Sequence, residues 1–155
     1  MEASSQFCLR CAAVIENEGQ LLLAGHFDPA GLFFWTFPGG LQREGESPEE
    51  CAVREAWEET GLHIRVERLL YRLEWELPVV GCRTELYFLA APVGGTLSGS
   101  NDPHARNAEP RPLLWVPVAD LDEIPFRPGE LRFRLPFDAA SGFAGAPYPA
   151  IHFGD

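Results

Sequence analysis

From Ser47 to Gly61 the chain carries a full set of helix signals. Ser47 is a favoured N-cap, Pro48 suits the first helical position, and Glu50 completes a Ser-x-x-Glu capping box. Gly61 supplies the left-handed residue that stops a helix. At about 100° per residue, Ala52, Val53, Ala56, Trp57 and Thr60 share one sector, while Glu55, Glu58 and Glu59 fall together on the opposite side. Arg54 flanks the acidic arc. The rest of the chain has to be arranged around this two-faced helix.

Three carboxylates at such spacing repel one another by about 0.2–0.5 kcal/mol per pair on a surface helix. Across residues 43–59 there are seven glutamates against two arginines. A solvated acidic face is one reading of such a run. A cation site is the other. It draws on the narrow sector that the glutamates share and on Pro38-Gly39-Gly40 just before the helix, where backbone carbonyls can approach closely. Carboxylate and carbonyl oxygens suit Mg²⁺ or Mn²⁺.

Charge and composition narrow the function classes. The 155 residues are 46% apolar, with 11 Phe and 4 Trp, which is core enough for one domain over 1–155, with 1–6 and 136–155 expected as extended tails. A net charge of −11 disfavours long nucleic acids as partners, since these need a basic face. An acidic protein can still handle phosphates when a divalent metal supplies the positive charge. All 12 Lys+Arg residues are arginines, which excludes a Gly-Lys-Ser/Thr phosphate loop and a lysine Schiff base. No apolar run reaches about 18 residues and the first residues do not read as a secretory signal, so no membrane partner and a cytoplasmic location are expected. Cys8, Cys11, Cys51 and Cys82 are too scattered for a disulfide scaffold; Cys8 and Cys11 are expected as small buried hydrophobes.

Patterning sets the remaining elements. Phe7 to Ile15 and Leu21 to Ala24 read as a hairpin around Glu16-Asn17-Glu18-Gly19. Gly25 to Pro38 reads as an aromatic-rich loop. Ile64 to Leu77 alternates like a strand, with a phase slip near Leu69 that predicts a bulge or bend, and Pro78 and Gly81 are expected to end it. Glu85 to Ala91 and Leu113 to Val118 read as further strands, Gly94 to Pro112 as a mobile loop, and Ala119 to Ile124 as a short helical turn.

Gly40, Glu46, then Arg54-Glu55-Ala56-Trp57-Glu58-Glu59-Thr60-Gly61-Leu62, resembles the Nudix box GX5EX7REUXEEXGU at every fixed position. Trp35 to Gly40 is similar to that family's usual lead-in. The resemblance implies an α+β fold, an α/β/α sandwich with a mixed central sheet. It also implies Mg²⁺-dependent hydrolysis of a nucleoside diphosphate linked to another group. By position, it gives Glu58 and Glu59 as metal ligands, Glu55 as ligand or general base, and Gly39 as a carbonyl ligand. The resemblance also implies that Arg54 orients the glutamates and that Glu46 supports the loop and helix. A further glutamate from a downstream loop is expected at Glu109, with Glu85 the alternative.

Substrate selection lies outside the box. Phe33, Phe34, Trp35 and Phe37 offer an aromatic platform, of which Trp35 and Phe37 are the selected candidates, and alternation allows only half of them to face a cleft. Arg10, Arg72 and Arg83 are candidates for gripping phosphates, against the alternative of solvated surface charges. A small nucleotide is the expected partner: ADP-ribose first, partly because Pro78 stands near a proline of ADP-ribose-cleaving relatives, then an oxidised nucleoside triphosphate. The alternative function is a Nudix-like sensor or interaction module without catalysis. The unpatterned tail and the aromatics also leave room for a homodimer.

Overall fold

In the computed structural model, which describes residues 8–79, 82–99, 111–143 and 151–153, the chain folds around strand β1 (Leu9–Asn17). Five consecutive β1 residues, Cys11 to Ile15, are buried, the mark of a strand covered on both faces. It turns through Glu18 and Gly19, both at positive φ, into β2 (Gln20–Phe27), as the turn signal predicts. On its other side β1 runs parallel to β6 (Cys82–Gly95), from Leu9 opposite Thr84 to Ile15 opposite Ala90. The short β4 (Gly39–Leu41) lies antiparallel to the start of β1. Beyond β6 comes β5 (Leu62–Val79), whose register shifts between Val66 and Arg68 and again between Leu69 and Tyr71, where the sequence phase slips. The strand runs on through Pro78. β7 (Leu113–Pro117) pairs with β2, and β8 (Ile151–Phe153) runs parallel to β5, so the sheet is mixed.

Alternate β1 side chains enter different cores. Cys11, Ala13 and Ile15 pack beneath helix α1 (Pro48–Thr60) against Cys51, Ala52 and Ala56. Ala12 and Val14 join the other core with Phe37, Tyr71, Tyr87 and Phe126. That second core is closed by the 3-10 turn Val118–Glu123 and by helix α2 (Leu131–Ala140), which gives the expected α/β/α sandwich. Trp57 departs from its sector: it is 39% exposed and stacks on His63 rather than entering the core.

Three further expectations are corrected. Residues 136–140 are helical rather than extended, with Pro136 inside α2. Leu131 and Leu135 bury one face of that helix, and the Tyr71 hydroxyl donates to buried Asp138 at 2.7 Å. A hydrogen bond to a charged group contributes about 1.5–3 kcal/mol, which with the apolar burial offsets the proline's cost of about 3 kcal/mol. Within the expected 25–38 loop, Phe33–Thr36 is a strand, β3, paired with β2. Asp28 closes the intervening turn by accepting from the Ala30 and Leu32 amides, both at 2.9 Å. Cys8 is half-buried and disulfide-bonded rather than a buried thiol, whereas Cys11 and Cys51 are free and fully buried.

Candidate active site

Helix α1 starts as the sequence predicts. The Glu50 amide donates to Ser47 Oγ at 3.1 Å, and the Ser47 amide donates to Glu50 Oε1 at 3.2 Å. Gly61 ends it in the left-handed region, at φ 77°, with its amide on the Trp57 carbonyl. The β4 glycines bring the preceding turn onto the acidic face. A Cβ at Gly39 would stand 2.6 Å from the Cys11 carbonyl oxygen, and one at Gly40 would stand inside the Glu55 carboxylate, 2.3 Å from Oε1. A side chain at Gly39 would push β4 off β1, and one at Gly40 would displace the Glu55 carboxylate.

Arg54 organises three of the four box glutamates. Its Nε and Nη2 donate to the two Glu46 oxygens at 2.7 and 3.0 Å, and Nη1 donates to Glu55 at 2.8 Å and to Glu58 at 3.1 Å. Nη2 also reaches the Leu41 carbonyl at 3.0 Å, tying helix to β4. The guanidinium beside Glu46 holds that carboxyl down at about 2. Arg43 lies 3.5 Å from Glu58. Glu59 is held differently, by the Gly39 amide at 3.3 Å and by Arg111 Nη1 at 3.0 Å. Burial pushes the Glu59 carboxyl up to about 7, against the pull of Arg111.

A cleft of about 560 Å³ opens next to this acidic face, lined among others by Arg10, His26, Phe34, Thr36, Glu85 and Arg127. Arg10 joins the two regions: it lines the cleft, and its Nη2 donates to the Gly39 carbonyl at 3.4 Å. His26 stacks on Phe34 with centroids 5.7 Å apart, and the Arg127 guanidinium lies 4.5 Å from the centre of the same ring. Arg127 is fixed by Asp28 at 2.9 Å. Burial and the neighbouring Arg111 and Arg10 cations lower His26 to about 4, so its ring is neutral at physiological pH.

The structure thus brings Glu46, Arg54, Glu55, Glu58, Glu59, Gly39 and Arg10 together. It separates others from them. Phe37 is wholly buried against Tyr87 and Phe126, so it is a core residue and not a platform. Trp35 packs on the core and edge-on to Phe33, away from the cleft lining. Strand alternation instead turns Phe34 and Thr36 into the cleft. Arg72 is exposed on β5 and paired with Glu74, and it is not among the residues that line the cleft. The side chains of Arg83 and Glu109 lie outside the described residues. Glu85 is in the cleft and accepts from the Tyr87 hydroxyl. Cys51 faces the Gly40 carbonyl and packs with Cys11. Phe34 is the one of the four candidate aromatics that joins His26 and Arg127 in the cleft, and those two residues, with Arg111 as the partner of Glu59, are ones the sequence does not single out.

A family model described as NUDIX domain matches residues 8–135, and the chain belongs to that family. It is 32% identical over 102 residues to a Mycobacterium tuberculosis (strain CDC 1551 / Oshkosh) protein bearing the mutator name MutT4, over 64% of this chain and 39% of that one. It is 40% identical over 63 residues to an RNA pyrophosphohydrolase of Cereibacter sphaeroides, over 40% of this chain and 39% of the relative. The chain spans about a third to two-fifths of the length of such curated relatives. The crystal structure of an ADP-ribose pyrophosphatase from Streptococcus suis superposes with a TM-score of 0.65 at 21% identity, over 94% of this chain and 98% of that one, a likeness of fold.

Among the described residues, no three His, Cys, Asp or Glu side chains stand as a group that could share an ion as they lie. Guanidinium groups hold the carboxylates instead. The donor set nevertheless fits a hard divalent cation, with carboxylate oxygens on one helix face and the Gly39 carbonyl beside them, once side chains turn from their arginines.

In the range between about pH 4 and 7, Glu59 and His26 make opposite contributions to metal-free stability. The raised Glu59 weakens the fold as pH climbs from 4.5 to about 7. The depressed His26 strengthens it as pH climbs from about 4 to 6.5. The two slopes oppose one another in the native chain. In chelator, Glu59→Gln is therefore expected to gain more in melting temperature between pH 4.5 and about pH 7 than the native protein does. A gain no larger than that of the native protein would contradict the Glu59 environment.

Proposed function

We propose that this chain hydrolyses the pyrophosphate linkage of a nucleoside diphosphate joined to another group, using Mg²⁺ or Mn²⁺ held by Glu55, Glu58, Glu59 and the Gly39 carbonyl. The carrying observation is the placement of these oxygens on one helix face and its glycine turn, with Arg10 bridging directly to an aromatic-lined cleft. A bound cation there supplies charge neutralisation for the diphosphate and lowers the pKa of the attacking water.

The chain's own residues do the rest. Arg54 orients Glu46, Glu55 and Glu58 by sharing one guanidinium among them. Glu55, against the Gly40 turn, is a ligand or the base that takes the water proton. Arg10 grips phosphate oxygens between acidic face and cleft. Phe34, flanked by neutral His26 and by Arg127, offers its face to a base or sugar. Glu85, held by Tyr87 opposite Arg10 in the β1–β6 ladder, is the further glutamate assigned here, and Glu109 lies outside the described residues.

The cleft volume is in the range of small-molecule sites, about 300–1,000 Å³, and suits a compact nucleotide. ADP-ribose is the leading candidate and an oxidised nucleoside triphosphate the next. A panel with Mg²⁺ tests this: ADP-ribose, nucleotide sugars, dinucleoside polyphosphates, normal and oxidised dNTPs, and a 5′-triphosphorylated oligoribonucleotide. ADP-ribose is expected to show the highest kcat/KM, and the oligoribonucleotide, facing a net charge of −11, a low one. Phe34→Ala is expected to raise KM for the best substrate about tenfold, since base stacking contributes about 1–3 kcal/mol. An unchanged KM would remove the cleft from substrate binding.

A further inference from the structure

Of the box glutamates, Glu46, Glu55 and Glu58 draw their cations from Arg54 and Arg43, within the box and its approach. Glu59 alone among them pairs with an arginine from a distant part of the chain, Arg111, 52 residues further on. The backbone at Arg111 is well fixed. Its amide donates to the Gly99 carbonyl at 2.9 Å, and the Pro112 carbonyl accepts from the Gly25 amide at 2.8 Å as β7 begins. The side chain is 45% exposed, whereas that of Glu59 is 11% exposed. All its described polar side-chain contacts, to Glu59 at 3.0 Å and to the His26 ring nitrogens at 3.1 and 3.2 Å, run through Nη1. The guanidinium's other edge has no protein partner among the described residues, and a planar fork of that kind matches phosphate oxygens.

Resting on the reading of Glu59 as a metal ligand, we infer that Arg111 is a positioning residue with two alternating partners. It neutralises Glu59 while the metal is away, and it grips the substrate's diphosphate once the metal takes that carboxylate. Burial makes Glu59 costly to leave without a cation. Metal and guanidinium are therefore competitors for one carboxylate, and the displaced arginine stays anchored between acidic face and cleft, beside His26. The same exchange spares the full protein an unpaired buried charge in either state.

Two probes test this, Mn²⁺ alone and ADP in the presence of saturating Mn²⁺, with native protein, Arg111→Gln and Arg111→Lys. Arg111→Gln is expected to bind Mn²⁺ about tenfold more tightly and ADP about tenfold more weakly, whereas Arg111→Lys returns Mn²⁺ affinity toward the native value. A thermal melt confirms that each variant is folded. Mn²⁺ affinity that is unchanged or weaker in Arg111→Gln, while the native protein binds Mn²⁺, overturns the exchange and leaves the metal site standing. Absence of Mn²⁺ binding to the native protein overturns the metal site itself, and the exchange with it.

Discussion

Glu58→Gln is expected to lower turnover by about 10²–10⁴-fold and to leave the melting temperature nearly unchanged. Glutamine keeps the shape of Glu58, and its single amide oxygen can still accept from Arg54 Nη1, now 3.1 Å away, at the expense of the longer contact with Arg43 at 3.5 Å. What it removes is one negative charge and one hard ligand oxygen from a side chain only 8% exposed. Transition-state stabilisation by a cation depends on that charge, so the loss falls on kcat rather than on the fold. Steady-state kinetics with saturating Mg²⁺, beside a thermal melt, separates the two. Turnover within a few-fold of native would mean that Glu58 has no part in the chemistry.

Arg54→Met is expected to cost about 3–5 kcal/mol of stability in chelator. Methionine fills the same volume, but Glu46, Glu55 and Glu58 then lose their shared cation while being only 14%, 14% and 8% exposed. Removing one side of a buried charge pair leaves the other uncompensated, which is where costs of this size arise. Loss of the bond to the Leu41 carbonyl adds to it by loosening helix from turn. Added Mg²⁺ is expected to restore part of the stability, because a cation at Glu55 and Glu58 replaces the missing one. Denaturant unfolding with and without Mg²⁺ checks both statements. A loss below about 1 kcal/mol would show that water already screens these carboxylates.

The acidic helix was legible in the sequence because each of its parts has a local cause. A capping box, a proline at the first turn, a terminal glycine and a 3.6-residue period do not need the rest of the chain to be interpreted. The β5 irregularity was legible for the same reason: a phase slip in an alternating pattern is visible without knowing the partner strand. The cleft was not. Among Phe33, Phe34, Trp35 and Phe37, a period of two leaves both phases open, and only pairing of His26 with Phe34 across β2 and β3 decides that Phe34 faces the cleft. Phe37 lies past the strand end and drops into the core between Tyr87 and Phe126.

Arg111 could not be read at all, since its role exists only because β7 pairs with β2 and carries the arginine to Glu59. Helix α2 was hidden by Pro136, whose local cost is offset by the burial of Leu131 and Leu135 together with the Tyr71–Asp138 bond from a strand 67 residues earlier. Signals that depend on register or on distant partners are therefore the ones the linear chain withholds.

The most direct test of the central claim is release of AMP from ADP-ribose, and of nucleotide from the other panel members, by the native protein in Mg²⁺ and again in excess EDTA. Release in Mg²⁺, its loss in EDTA and its return on adding Mg²⁺ back are expected. Release that persists undiminished in EDTA, or no cleavage of any panel member by protein that binds Mn²⁺, would contradict the claim, and the second result would favour a nucleotide sensor built on the same fold.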